Sequence, residues 1–432
     1  MIADILARFR IPDFSVWRNR SSLSIPDRNE ADVAGLGKYL LLVIASIACG
    51  WIAWSGAVLL LPVAMIFPAL WAMAPSRLTA TLVSAGYFLA ASRGLPQGVA
   101  NFYAADLWPG LLLWAAASMS FVGVHALLWM KSSDENSSGK RWAADAVRAV
   151  RYGLAMVLTG LPPFGITGWA HPLTAAGALF PGWGWWGFSA AAAALLVMTT
   201  RLWRAAAIVL ATFWLSSAAH WTAPKLSDGW RGVDLQQGQD LGRDGSLAYY
   251  HDLIGTVLQT ATEHPSTRVV VLPESTLGFW TPTVERVWRE GLRGSNLTVF
   301  TGAAVVDAGG YDNVMVAISA EDAKILYRER MPVPGSMWQP WLRWTGQGGG
   351  AHADFFGNPI VKVAGVQIAP LICYEQLILW PVLQSILHGS DIIVATGNGW
   401  WTDGTSIVAI QRASVIAWAK LFDLPVVTAF NS

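Results

Sequence analysis

The chain has 432 residues, of which 54% are hydrophobic and 13% are charged, and its formal net charge is +1. A soluble domain carries about 25% charged residues, so this composition excludes a disordered chain and indicates a membrane protein. The small net charge also argues against a nucleic-acid-binding protein that depends on bulk electrostatics, and we expect no direct nucleic-acid contact.

Charged residues are distributed unevenly along the chain. Residues 39–130 contain three of them, and residues 152–221 contain only Arg201 and Arg204. Residues 222–432 have the composition of an ordinary globular domain. We therefore predict three parts: a basic cytoplasmic arm over residues 1–38, a membrane domain over 39–221 and a globular domain over 222–432.

The membrane domain is predicted to be a polytopic α-helical bundle. About 20 apolar residues are needed for a helix to cross the hydrocarbon core, and the apolar runs predict about seven crossings. The predicted spans are residues 39–56, 57–75, 78–95, 108–130, 152–170, 184–200 and 203–221.

Basic residues predict the orientation of these spans. With a cytoplasmic N-terminus, fourteen lysines and arginines fall in the arm or in cytoplasmic loops, and Arg93 is the one basic residue in an outer loop. Such a distribution follows the positive-inside rule. Seven crossings then place residues 222–432 outside the cytoplasm, so we predict a multi-pass protein of the bacterial inner membrane with a periplasmic domain.

From residue 222 onward, short β-branched runs alternate with stretches of helical length, which predicts an α/β domain. The predicted strands are residues 268–272, 297–301, 314–318, 360–366, 368–373, 391–395 and 425–429. The predicted helices are residues 246–263, 282–294, 376–388 and 405–422. Residues 335–353 form a long loop, and loops of this length are usually functional or disordered.

Two polar residues stand at the ends of predicted strands. Glu274 follows the strand at 268–272, where open α/β sheets place catalytic groups, although an exposed acid in a turn has the same pattern. Cys373 ends an apolar run and precedes Tyr374-Glu375, although a small buried hydrophobe also fits that position. The second cysteine, Cys49, lies in the first apolar run, so no disulfide is predicted.

Several motifs together resemble those of the nitrilase, or carbon-nitrogen hydrolase, superfamily. They are Pro273-Glu274-Ser275, residues 327–335, Ile372-Cys373-Tyr374-Glu375 and Gly397-Asn398-Gly399-Trp400-Trp401. The order of membrane helices followed by such a domain is similar to that of the bacterial apolipoprotein N-acyltransferases. Residues 161–172 and 425–431 also resemble the corresponding segments of that family. The length most resembles the plasmid conjugal transfer protein family TraB. The resemblance implies that residues 222–432 form an α-β-β-α sandwich.

The same resemblance implies a mechanism and roles for individual residues. Cys373 would attack an acyl carbonyl to form a thioester, Glu274 would take and return protons, and Glu375 would support the site. Substrate binding is assigned to Asn398, Trp400, Trp338 and Trp341. The loop tryptophans Trp338, Trp341 and Trp344 are also expected to contact the membrane or an acyl chain. Packing of these tryptophans on their own domain is the alternative. No cofactor is expected, and the seven histidines lack metal-ligand spacing.

The chain departs from the family pattern at two places. The position of the family's catalytic lysine holds Glu329, and we assign Arg330 as a substitute for the positive charge, although an arginine cannot exchange protons. The family's further C-terminal hairpin is not found before Ser432, so we expect a C-terminally truncated sheet whose edge needs a partner or the membrane to cover it.

Two functions are consistent with the sequence. The first is a conjugal-transfer membrane protein that acts as a cysteine-dependent N-acyltransferase or amidase on a lipid or lipoprotein. The second is a catalytically degenerate envelope or scaffold component of the conjugation apparatus. The expected partners are membrane lipids and, beyond them, lipoproteins or proteins of that apparatus.

Overall fold

The computed structural model describes residues 28–131, 138–346 and 348–432, with the side chains of 28–36, 138–140 and 343–344 left undescribed. The chain divides into two compact units, residues 1–41 and 42–432. Of the first unit, the structure describes the beginning of helix α1, and the second unit contains all the other elements discussed below.

The first half of the described chain is helical. Its helices are α1 (Arg28–Ala53), α2 (Phe67–Ala72), α3 (Arg77–Ala91), α4 (Leu95–Tyr103), α5 (Leu107–Leu128), α6 (Ser138–Gly160), α7 (Ala176–Leu179), α8 (Gly184–Met198) and α9 (Trp203–Ala219). Within the described residues, α5 is the one helix both long and apolar enough to cross a membrane. Helix lengths therefore do not confirm a bundle of about seven crossings.

Two predicted spans differ from a single α-helix, and both contain proline. The run at 57–75 is a 3-10 helix, Val58–Ile66, that contains Pro62 and leads into α2. The run at 152–170 is interrupted because α6 ends at Gly160, just before Pro162-Pro163, and short 3-10 turns follow. A proline ring lacks the amide hydrogen that a helix interior needs and clashes with the preceding turn.

The second half contains two β-sheets. The first has five strands in the order β1 to β5, and the second has four in the order β6 to β9. Strands β1, β2 and β3 are parallel, whereas β4 and β5 are antiparallel to their neighbours. In the second sheet β6 is antiparallel to β7, and β7, β8 and β9 are parallel.

Each predicted strand and helix overlaps one of these elements, whereas β1, β5 and the short helix α12, which lies in the predicted loop, were missed by the sequence analysis. The strands are β1 (Trp230–Gly232), β2 (Val269–Val271), β3 (Thr298–Val306), β4 (Tyr311–Ile318), β5 (Ala323–Arg328), β6 (Val361–Val363), β7 (Val366–Ile372), β8 (Ile392–Asn398) and β9 (Val426–Asn431). The helices are α10 (Leu247–Glu263), α11 (Pro282–Gly291), α12 (Trp341–Trp344), α13 (Leu379–Leu387) and α14 (Ile407–Phe422).

The two sheets pack face to face, with helices on both outer faces. Side chains such as Phe300 and Met315 from the first sheet share a core with Ile368 and Val394 from the second. Helices α10 and α11 cover the first sheet, and α13 and α14 cover the second. The predicted α-β-β-α sandwich is confirmed.

Helix α14 also belongs to the core of the helical half. Trp418 is buried in one cluster with Phe67 and Trp71. Its backbone passes close to α7, since a Cβ atom on Gly177 would lie 1.7 Å from the carbonyl oxygen of Ala417. The boundary predicted at residue 221 is therefore a boundary in composition and not in packing.

The outer edge of β9 is covered by the chain itself. Leu235 donates its backbone N–H to the carbonyl of Phe430 at 2.9 Å, and Ser432 donates to the carbonyl of Leu235 at 3.1 Å. At the other end of the strand, Val426 donates to the carbonyl of Lys225 at 3.3 Å. The expectation that this edge needs a partner or the membrane is therefore wrong.

Candidate active site

Cys373 lies at the sharp turn where β7 ends. It is the first residue of a short 3-10 helix, Cys373–Gln376, and its backbone φ is +45°. A left-handed conformation is unusual for a residue other than glycine, and such strain concentrates at functional sites. From α14, Gln411 donates its Nε2 hydrogens to the Cys373 carbonyl at 2.9 Å and towards Sγ at 3.8 Å.

Glu274 approaches the same point from the other sheet. It follows β2 and is buried, with 5% of its surface exposed. Its Oε1 accepts a hydrogen bond from Asn313 Nδ2 at 2.7 Å, and its Oε2 accepts one from the backbone N–H of Asn398 at 3.0 Å. Glu274 and Cys373 line the same cavity, and each group shifts the pKa of the other. The structure thus brings together the two residues assigned as nucleophile and base.

The electrostatic environment keeps this thiol protonated. Burial raises the pKa of Cys373 well above its ordinary value, and the nearby carboxyl group of Glu274 raises it further. Burial also raises the pKa of Glu274, although its hydrogen bonds oppose that shift. These shifts favour a protonated thiol in the resting site, so a base has to remove the proton before Cys373 can act as a nucleophile.

Glu329, at the family's lysine position, points into the site. It follows β5 with 3% of its surface exposed, and its Oε2 accepts a hydrogen bond from Asn313 Nδ2 at 2.9 Å. Burial first, and then the charges of Glu274 and Glu375, raise the pKa of Glu329 well above its ordinary value.

The assignment of Arg330 as a substitute for the lysine is corrected by the structure. Its guanidinium is fully buried, and its hydrogen bonds go to Tyr327, Gln384, Pro381 and Ser385. These partners lie on β5 and along α13. The physical reason is that the backbone leaves β5 after Arg328 and turns the Arg330 side chain under α13, where it supports the structure.

Glu375 holds the two strand ends together, as expected of a supporting acid. Its Oε1 accepts hydrogen bonds from the Tyr327 hydroxyl at 2.6 Å and the Arg330 backbone N–H at 2.9 Å. Its Oε2 accepts from the backbone N–H of Ile372 at 2.9 Å. The ion pair between Glu375 and the Arg330 Nε spans 3.6 Å and is fully buried. Glu375 is thus a positioning residue for the turns that carry Cys373 and Glu329.

Two cavities meet at Cys373. The larger, about 790 Å³, is lined by Asn398 and Trp400 as well as by Glu274. The smaller, about 260 Å³, is lined by Trp341. Trp338 lines neither of these two cavities and packs edge-on against Phe355, at a ring-centroid distance of 5.2 Å, so the alternative of packing on its own domain fits it better. The side chain of Trp344 lies outside the described residues.

Three residues of the site were not singled out by the sequence. Asn313 bridges the two glutamates, Gln411 contacts Cys373, and the buried Asn431 donates to the Asn398 side chain at 2.8 Å. For Asn313 and Gln411, the sequence offered one indication, which is that each is a single amide within an apolar strand or helix. Among the described residues, no cluster of His, Cys, Asp and Glu is arranged to hold a metal ion.

Gly302 allows the backbone of Glu274 to lie against β3. A Cβ atom at this position would be 2.4 Å from the Ser275 nitrogen and 2.6 Å from the Glu274 Cα. We expect Gly302→Ala to displace Glu274 and to destabilise the fold by about 1–3 kcal/mol, as overpacking does. Gly255→Ala, on an exposed face of α10 with open space around it, is the matched control. Equal unfolding midpoints for both variants would contradict this account.

A thiol and a buried carboxyl group, brought together from two facing sheets of an α-β-β-α sandwich, define a nitrilase-type protein. The family model for carbon-nitrogen hydrolases matches residues 89–420. The conjugal transfer protein TraB of Agrobacterium fabrum (strain C58) is 64% identical over 432 residues, the full length of both chains. The probable conjugal transfer protein TraB of Sinorhizobium fredii (strain NGR234) is 60% identical over 91% of this chain and 98% of its own.

The carbon-nitrogen hydrolase of Helicobacter pylori G27 is a solved structure with 13% identity and a TM-score of 0.35, over 47% of this chain and 72% of that one. The family model and the two full-length relatives decide the assignment. The chain belongs to the carbon-nitrogen hydrolase family and, within it, to the TraB conjugal transfer proteins, which confirms the family resemblance of the sequence.

Proposed function

We propose that the protein is a membrane component of plasmid conjugation that carries acyl groups on Cys373 and transfers them to an amine or to water. The observation that carries this proposal is that Cys373 and the buried carboxyl group of Glu274 line one cavity, at the point where Cys373 also borders a second cavity. The names of the two relatives support the role in conjugation.

The reaction follows from the positions of the two side chains. Glu274 takes the thiol proton as the Cys373 sulfur attacks the acyl carbon, and the bond to the leaving amine or alcohol then breaks. Glu274 returns that proton to the leaving group, which yields a thioester. In the second half the incoming amine or water attacks the thioester carbon while Glu274 takes its proton, so that a C–N or C–O bond forms. The C–S bond then breaks, and the proton passes from Glu274 to the sulfur of Cys373.

The larger cavity supports a long-chain acyl substrate. Most of its lining is apolar, and Arg243 is the one cation among the lining residues that the structure describes. The Arg243 guanidinium is 5.6 Å from the centroid of the Trp400 ring, which stacks on Phe102. An apolar cavity with a cation at its surface suits the acyl chain of a lipid or lipoprotein that has an anionic group at one end.

Covalent trapping tests this proposal. Membranes that contain the protein are incubated with an activated acyl ester, and the peptide that carries Cys373 is analysed by mass spectrometry. We expect the mass of one acyl group on Cys373, released by hydroxylamine as a thioester is. Absence of this adduct at saturating probe, in protein that is folded, would contradict the proposal.

A non-catalytic role is the second candidate, and Glu329 is the observation that favours it. The position assigned to the catalytic lysine holds a buried acid, so this position supplies no positive charge to lower the thiol pKa. In that case the cavities would bind an acyl chain or a protein segment without turnover, and the protein would act as an envelope or scaffold component of the conjugation apparatus.

Exposed apolar side chains support an inner-membrane location. On α5, Trp108 and Leu112 are each 62% exposed and Leu127 is 73% exposed, and Ile208 on α9 is 69% exposed. Apolar surface on this scale is unfavourable in water at about 25 cal/mol per Å². We therefore propose that these helices face lipid, with the N-terminus in the cytoplasm and Cys373 on the periplasmic side.

The orientation is testable with reporter fusions. Alkaline phosphatase folds and is active only outside the cytoplasm, so a fusion after Ser432 is expected to be active. A fusion after Lys131, in a predicted cytoplasmic loop, is expected to be inactive. An inactive fusion after Ser432 would mean an even number of crossings and a cytoplasmic site.

A further inference from the structure

Glu274 and Glu329 form a buried pair that one amide group bridges. The Asn313 Nδ2 donates to Glu274 Oε1 at 2.7 Å and to Glu329 Oε2 at 2.9 Å. Both glutamates are at most 5% exposed. The other oxygen of Glu329, Oε1, is buried and has no hydrogen-bond partner among the described residues.

The charges around this pair do not balance two carboxylates. Glu375, at the end of β7, is already paired with Arg330, at the end of β5. The remaining titratable groups that interact with the pair are the thiol of Cys373 and the phenol of Tyr311 on β4, both neutral at pH 7. Two buried carboxylates without a cation cannot both be ionised, because like charges in one site disfavour each other and burial disfavours each of them.

We propose that Glu274 and Glu329 hold one proton between them, and that Glu329 keeps it as a neutral acid. Because Oε2 of Glu329 accepts a hydrogen bond from Asn313, the proton lies on the unpartnered Oε1. Glu274 is then the carboxylate that accepts the thiol proton. This inference rests on the proposed function and assigns Glu329 a role at the position of the missing lysine.

The charge of the site is conserved in such a step. Before attack, one negative charge lies on Glu274, while Glu329 and the thiol are neutral. After attack, Glu274 is neutral and the negative charge lies on the acyl oxygen, while Glu329 keeps its own proton. A neutral Glu329 therefore adds no negative charge that would oppose the charge forming on the acyl oxygen.

The rate of thiol alkylation distinguishes a neutral Glu329 from an ionised one. In a Cys49→Ser background Cys373 is the only thiol of the chain, and its reaction with iodoacetamide is followed from pH 6 to 10. Because Glu329→Gln replaces a neutral acid by a neutral amide, we expect its rate at pH 7 to stay within about twofold of the parent. Loss of a negative charge this close would lower the thiol pKa by about 1–3 units, so a rise of tenfold or more would overturn the proposal.

Two further variants calibrate this measurement. Glu329→Lys places a cation beside the thiol and is expected to raise the rate at pH 7 by tenfold or more. Glu290→Gln, on an exposed position of α11, is expected to leave it unchanged. If Glu329→Lys does not raise the rate, residue 329 does not act on Cys373 and the proposal is overturned.

Infrared spectroscopy gives an independent readout. At pH 7 the parent is expected to show the carbonyl band of a protonated carboxyl group that shifts in Glu329→Asp and disappears in Glu329→Gln. A parent spectrum that lacks this band would overturn the proposal even if the variants do not fold. Neither the alkylation rate nor the infrared spectrum requires a substrate. A failure of this inference is therefore distinguishable from a failure of the proposed acyl transfer.

Discussion

Replacing Cys373 by alanine is expected to abolish covalent labelling by an activated acyl ester and to lower acyl transfer on the order of 10⁴-fold or more, the scale at which loss of a nucleophile acts. The reason is that the sulfur is the atom that forms the bond, while Glu274 and the cavities remain. Labelling of membranes, followed on a gel, measures the effect.

Cys49→Ala is the matched control for this variant. Cys49 is buried among the helices and its Sγ contacts the carbonyl of Val63 at 3.1 Å, so we expect labelling to persist when it is replaced. The frequency of plasmid transfer separates the two functions. Two results together would rule out the enzyme: no labelling of the parent protein, and equal conjugation by the Cys373→Ala strain and its parent. The non-catalytic scaffold would then be the remaining function.

Replacing Arg330 by methionine is expected to destabilise the protein by about 3–5 kcal/mol, because it leaves the buried carboxylate of Glu375 without its cation. Unfolding by denaturant in detergent measures the loss. Arg328→Met is the control, since the ion pair of Arg328 with Asp312 is partly exposed, and pairs of that kind contribute about 0–1 kcal/mol.

The double variant Arg330→Met/Glu375→Gln tests the same interaction from both sides. We expect it to be less destabilised than the sum of the two single variants, by about 0.5–3 kcal/mol, since contacting residues are energetically coupled. Additive losses would mean that Arg330 stabilises the fold through Gln384 and Ser385 and not through the ion pair.

The sequence predicted much of the sandwich and the two residues that meet in it. Cys373 and Glu274 were found because each follows an apolar strand, and the carboxyl ends of such strands are where functional groups collect. Asn313 and Gln411 were missed because each is a single amide within an apolar run. One residue forms no repeating pattern, and the sequence does not show which residue it contacts. Their partners lie 39 and 38 residues away.

The error over Arg330 has a geometric cause. Along a strand, side chains alternate between the two faces, and β5 obeys this rule with Tyr327 buried and Arg328 exposed. The rule ends with the strand, and both Glu329 and Arg330 are buried. Residue order therefore could not tell which of them faces the thiol. In the helical half, similarly, apolar content predicted the runs but not the 3-10 geometry around Pro62 or the end of α6 before Pro162.

The position of α14 sets the order in which the nucleophile can be completed during synthesis. Gln411, which contacts Cys373, lies on the helix that is buried against α7 and the aromatic core of the helical half. Those helices leave the ribosome first, and α14 follows by more than two hundred residues. A fragment that begins at residue 222 would expose the apolar face of α14 and lack the scaffold that holds Gln411. The contact of Gln411 with Cys373 therefore forms late, when α14 packs on helices that were made much earlier.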